Sequence, residues 1–127
     1  MDSEREPTRS DIEVRRAAAV FARPIKDQAA LQLLTSFGPF IAACAAMYLV
    51  FPISYLLGLA LAVPAGALLV RVFIVQHDCG HGSFFASTRA NAIVGWACSL
   101  MTLTPFTNWA RQHSLHHGNW SNLDRRK

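Results

Sequence analysis

Residues 29–75 read AALQLLTSFGPFIAACAAMYLVFPISYLLGLALAVPAGALLVRVFIV, and no Asp, Glu, Lys or Arg occurs between residues 28 and 70. As one straight helix the stretch would measure about 70 Å, more than twice the roughly 30 Å hydrocarbon core of a bilayer. It must fold back on itself. Phe51-Pro52-Ile53-Ser54 is the natural break, because proline lacks an amide hydrogen and pushes the preceding residue out of helical geometry. Two spans of membrane-crossing length result, about 31–50 and 55–75, preceded by a polar tail over 1–28. Gly38-Pro39 and Pro64 fall inside these spans and predict kinks, which membrane helices tolerate when neighbours satisfy the freed carbonyls.

The rest of the composition agrees. Of the 127 residues, 52% are apolar and 16% charged, whereas soluble domains run near 45–50% and about 25%. Such apolar content excludes a disordered chain. Three cysteines, with Cys44 and Cys98 inside apolar runs, exclude an evenly paired disulfide scaffold. The tail lacks the basic start, short apolar run and cleavage site of a removable signal peptide.

The net charge of +4 is no nucleic-acid footprint, because the cations and anions of residues 1–27 cancel. The excess comes from Arg71, Arg89, Arg111 and Arg125-Arg126-Lys127, which flank apolar segments; no nucleic-acid partner is expected. Cations precede the first span and bracket the far end of the second, while none lies in the turn between them. The positive-inside rule therefore puts both ends of the hairpin in the cytoplasm. A third apolar stretch, NAIVGWACSLMTLTPFTNW (91–109), is long enough to cross, but Thr102, Thr104, Pro105, Thr107 and Asn108 spoil its second half.

All five histidines fall between 77 and 117, in two groups: HDCGH at 77–81 and HSLHH at 113–117. Positions three or four apart share a helix face, so His77 with His81, and His113 with His116, each aim two imidazoles one way, and His117 extends the second group. Several imidazoles gathered at a membrane boundary point to a metal, since imidazole is the commonest nitrogen ligand and its burial otherwise costs desolvation. One site drawing on both groups requires them on the same membrane face, so 91–109 is expected to be re-entrant or in-plane rather than a crossing. Five histidines without a carboxylate partner exceed one zinc site and fall short of two. Iron, with higher coordination and redox chemistry, suits the surplus, with further ligands from elsewhere.

The segments HDCGHGSFF (77–85) and WARQHSLHHGNWSNLDRR (109–126) resemble the first and second histidine boxes of the membrane fatty acid desaturases, particularly the acyl-lipid group with the bacterial and plant delta-12 enzymes. His77 and His81 match the H-x-x-x-H ligands, His113, His116 and His117 the H-x-x-H-H ligands, and Trp109 with Asn122-Leu123-Asp124 the flanks of the second box. The resemblance implies an all-α integral membrane protein, the first half of a four-helix fold carrying its boxes on the cytoplasmic side. It implies two non-haem irons that use dioxygen, with electrons from ferredoxin or cytochrome b5, to place a cis double bond in a membrane lipid or other acyl substrate. The family's third box does not occur in these residues, so a piece of a longer desaturase, inactive by itself, is expected. The alternatives are a histidine-box hydroxylase or carotenoid ketolase, and a non-catalytic metal-binding remnant.

Neighbouring residues read as follows. Asp78 is either an acceptor orienting a histidine N–H or a helix-end charge. Cys79 reads as a small buried residue before a ligand. Gly80 and Gly82 are expected to permit close packing, Phe84 and Phe85 to anchor at the interface before lining an acyl tunnel, and Trp96, Trp109 and Trp120 to form an aromatic belt. Arg111 reads as a solvated cation, and residues 11–22 as a short amphipathic helix.

Overall fold

The computed structural model describes residues 8–21 and 24–118. Trp120, the Asn122-Leu123-Asp124 flank, the terminal cations and Ala22 lie outside the described residues. Among the described residues five helices follow in order: α1 (Arg9–Phe21), α2 (Lys26–Val50), α3 (Tyr55–Gly80), α4 (Thr88–Thr102) and α5 (Phe106–Gly118). No strand occurs among the described residues.

Among the described residues two helices, α2 with 25 residues and α3 with 26, are long and apolar enough to cross a membrane. They form the expected hairpin, and the break falls at Phe51-Pro52-Ile53. Phe51 closes α2 by donating its N–H to the Met47 carbonyl, while the Ser54 hydroxyl caps α3 by accepting from the Leu57 N–H. Each helix outruns its expected span by about a turn. Both remain continuous through their prolines, Pro39 and Pro64. Leu34, Ile41, Leu49, Leu56 and Val63 stand exposed along the hairpin.

The extension of α3 matters most, because it carries His77 and ends one residue before His81. His81 is the C-cap, Gly82 follows at φ 69°, the Ser83 N–H reaches the Asp78 carbonyl and the Gly82 N–H reaches the Cys79 carbonyl. This pair of bonds is a Schellman closure, which needs a left-handed residue that glycine adopts without strain. Gly82 therefore serves conformation rather than packing, since a Cβ there would meet nothing within 4 Å.

The stretch expected as one re-entrant segment is two helices. At 15 residues, α4 spans about 22 Å, short of the roughly 30 Å hydrocarbon core. It stops at Leu103, a non-glycine residue at φ 54°, and Pro105 disfavours helical geometry at the residue before it. From there α5 returns toward α3. Gly95 makes the return possible, because the Phe106 ring occupies the space that any Cβ at 95 would fill.

The core lies where α3, α4 and the start of α5 meet, around Val72, Val75, Cys79, Phe84, Cys98 and Phe106. Phe84 is a core residue at 6% exposure and not an interfacial anchor, whereas Phe85 is half-buried against it with ring centres 4.9 Å apart. The loop carrying them is pinned by Asn91, whose amide donates to the Phe85 carbonyl at 2.8 Å and accepts from the Phe85 N–H at 2.9 Å.

Candidate metal centre

At the end of α3 the i, i+4 spacing brings the His77 and His81 rings to 4.5 Å centre to centre. On α5 the partner of His113 is His117, with ring centres also 4.5 Å apart. Because α5 packs across α3, the pairs converge on one point. His113 Nε2 lies 3.0 Å from His77 Nε2, 3.1 Å from His81 Nε2 and 3.0 Å from His117 Nε2. The four ligand nitrogens all fall within 4.8 Å of one another.

Five lone-pair-bearing rings were expected at this site, and the structure gathers four. His116 is exposed outside the group, its ring centre 6.5 Å from His113 and 6.0 Å from His117. Helical geometry explains the difference: from His113, i+3 and i+4 lie on opposite sides of the same stripe, and α3 packs on the i+4 side. Cys79 is buried at 3% exposure beneath the site and is not one of the four.

Polar neighbours fix the ring orientations. Asp78 Oδ1 lies 3.1 Å from His77 Nδ1, so the carboxylate accepts the Nδ1–H and leaves the Nε2 lone pair facing the cluster. The Trp109 indole stacks on His113, 4.7 Å away at 14°, meets Phe73 edge-on at 5.3 Å and lies 5.9 Å from His77. Phe73, His77 and Gly80 share one face of α3, and the indole lies along it. At Gly80 a Cβ would stand 2.9 Å from Trp109 Cζ3, so glycine here is required for close approach. Trp109 is thus half-buried packing inside the site, while Trp96 stays half-exposed on α4.

Crowding shifts the titrations. His81 and His113 are both held below the ordinary histidine value, first by lost hydration and then by neighbouring imidazoles. Neutral rings with free lone pairs are the form that binds a metal. Four converging imidazole nitrogens among the described residues fit a borderline transition-metal cation such as iron or zinc.

Two layers of this site escape sequence reading. Gln76 and Ser99 tie the start of α5 to α3 and α4 by donating to the Thr104 carbonyl, and Thr102 donates its hydroxyl to Gln76; their signal was the presence of polar residues in otherwise apolar helices. Asn91 was hidden in the same way.

Residues 52–126 match the family model described as fatty acid desaturase. The chain is 45% identical over 108 residues to the fatty acid desaturase of Bacillus subtilis, an alignment covering 85% of this chain and 31% of that protein. It is 41% identical over 59 residues to the sn-1 acyl-lipid omega-3 desaturase (ferredoxin) of Synechocystis, covering 46% and 16%. Against the sn-1 oleoyl-lipid 12-desaturase of Picosynechococcus the identity is 34% over 82 residues, covering 65% and 21%. The chain thus spans about a third or less of the length of these relatives. No solved structure matches it.

Proposed function

Because the chain belongs to the fatty acid desaturase family, we propose that it serves the oxygen-dependent introduction of a cis double bond into a fatty acyl chain at a membrane. The observation that carries this reading onto particular residues is the meeting of both histidine groups at His113. Non-haem iron, when bound, supplies an oxidising power toward unactivated C–H bonds that no side chain has, drawing on dioxygen and on electrons from a ferredoxin- or cytochrome b5-type carrier.

The protein's part is to bind and orient. His77, His81, His113 and His117 would hold one ion through Nε2, and His116 would serve a second. Two ions require more ligands than five histidines, and we take the remainder to come from outside these 127 residues. Asp78 holds the Nδ1 proton of His77 throughout, and Trp109 keeps one side of the cluster free of water. The α2–α3 hairpin is read as the first of two in a four-span membrane domain, with α4 lying re-entrant or in-plane. Arg71, Arg89 and Arg111 favour a cytoplasmic position for the histidines. There an acyl chain arrives from lipid while electrons arrive from a soluble carrier.

Expression of the full gene in a host without desaturases, followed by mass spectrometry of the acyl chains, tests the reading. Loss of two hydrogens is expected; an added oxygen atom would sink it in favour of a hydroxylase or ketolase. The 127 residues alone should retain fewer than two tightly bound irons per chain by metal analysis.

A further inference from the structure

We propose that Gln76 is a positioning residue that sets the helix of the second histidine group against the first. It precedes His77 in α3 and is fully buried, at 0% exposure. Both ends of its amide are used: Nε2 donates to the Thr104 carbonyl at 3.3 Å, and Oε1 accepts from the Thr102 hydroxyl at 2.6 Å. The same Thr104 carbonyl accepts the Ser99 hydroxyl, and Ser99 Oγ in turn accepts the N–H of Phe106, the first residue of α5, at 3.0 Å.

One carbonyl in the turn between α4 and α5 is therefore held from α3 and α4 together, next to the left-handed Leu103. A helix is stiff, so its direction is decided where it starts. The clamp fixes α5 at its first residue, and His113 and His117 follow two and three turns later on the face turned to α3. An apolar side chain at 76 would leave the Thr104 carbonyl held by Ser99 alone, cutting its tie to α3, and would take the acceptor from the Thr102 hydroxyl in a low-dielectric interior, where an unpaired polar group is costly. The turn would then relax toward other partners. Each histidine pair would survive within its own helix, and the register between the pairs would be lost.

The consequence for metal binding rests on the reading of the four histidines as ligands; the consequence for α5 does not. The test compares the unaltered chain in lipid nanodiscs with Gln76→Leu and with Val72→Ala. Val72 is equally buried one turn earlier on α3, but makes no polar contact, so its substitution weakens packing alone. In the metal-free proteins, hydrogen exchange over residues 106–118 should quicken at least about tenfold in Gln76→Leu and stay unchanged in Val72→Ala, with residues 55–75 protected in both. Cobalt(II), used as the probe metal, should bind Gln76→Leu about ten- to a hundredfold more weakly, the range typical when a residue supporting a ligand is lost. Should Gln76→Leu fail to fold, Thr102→Val against Thr102→Ser gives the same contrast, since only serine keeps the hydroxyl. Equal exchange of α5 in Gln76→Leu and Val72→Ala would overturn the clamp. Failure of the unaltered chain to bind cobalt would instead overturn the metal reading, and exchange alone would then decide the role of Gln76.

Discussion

The indole of Trp109 lies flat on the imidazole of His113, ring centres 4.7 Å apart and planes 14° from parallel. The same indole fills the space above Gly80 on the facing helix, so one side chain sets both the tilt of a candidate ligand and the separation of α3 from α5. Trp109→Ala should therefore weaken cobalt binding about tenfold or more, while Trp109→Phe, which preserves a stacking surface, should lose much less. Isothermal titration of the purified variants checks this, and equal losses in the two would show that stacking is irrelevant.

The four-nitrogen group contains His117 and omits His116. With one equivalent of cobalt, His117→Ala should abolish the visible spectrum of a four-histidine site, whereas His116→Ala should leave it intact. The reverse ranking would mean that α5 presents its other face.

Asp78 accepts from His77 at 3.1 Å and so decides which nitrogen of that ring is free. Removing it as Asp78→Ala should cost about ten- to a hundredfold in metal affinity, with no loss of helix content by circular dichroism. An unchanged affinity would reduce Asp78 to a helix-end charge.

Acid should open the cluster. The folded-state values of His81 and His113 are depressed, so just below the ordinary histidine value of about 6.5 the unfolded chain binds more protons than the folded one. Stability from these two rings is thus present at neutral pH and falls as pH drops through that window. NMR titration of the metal-free protein should show both midpoints below about 6.5, and metal affinity should fall over the same range. A midpoint above 6.5 for either ring would contradict the crowded geometry.

Much of this was legible in the residues because it is local. The Phe51-Pro52-Ile53-Ser54 stretch breaks the apolar run where two spans of bilayer length require it, and the spacing of His77 and His81 puts two rings on one face without help from the rest of the chain. The division of 91–109 was not legible, because Leu103 carries no glycine-like signal for a left-handed conformation. Its two chain neighbours, Thr102 and Thr104, are bonded by Gln76 and Ser99, which reach them only once α3 and α4 have packed.

By itself, then, the sequence determined the apolar hairpin, the two histidine groups and the pairing of histidines along α3, since hydropathy, proline geometry and helical period act over a few residues. Tertiary structure alone decided that His113 pairs with His117 and stands about 3 Å from both histidines of α3. Both i+3 and i+4 satisfy the helical repeat. The choice between them belongs to the azimuth of α5, which is set by a glycine–tryptophan contact and a buried glutamine far from it in the chain.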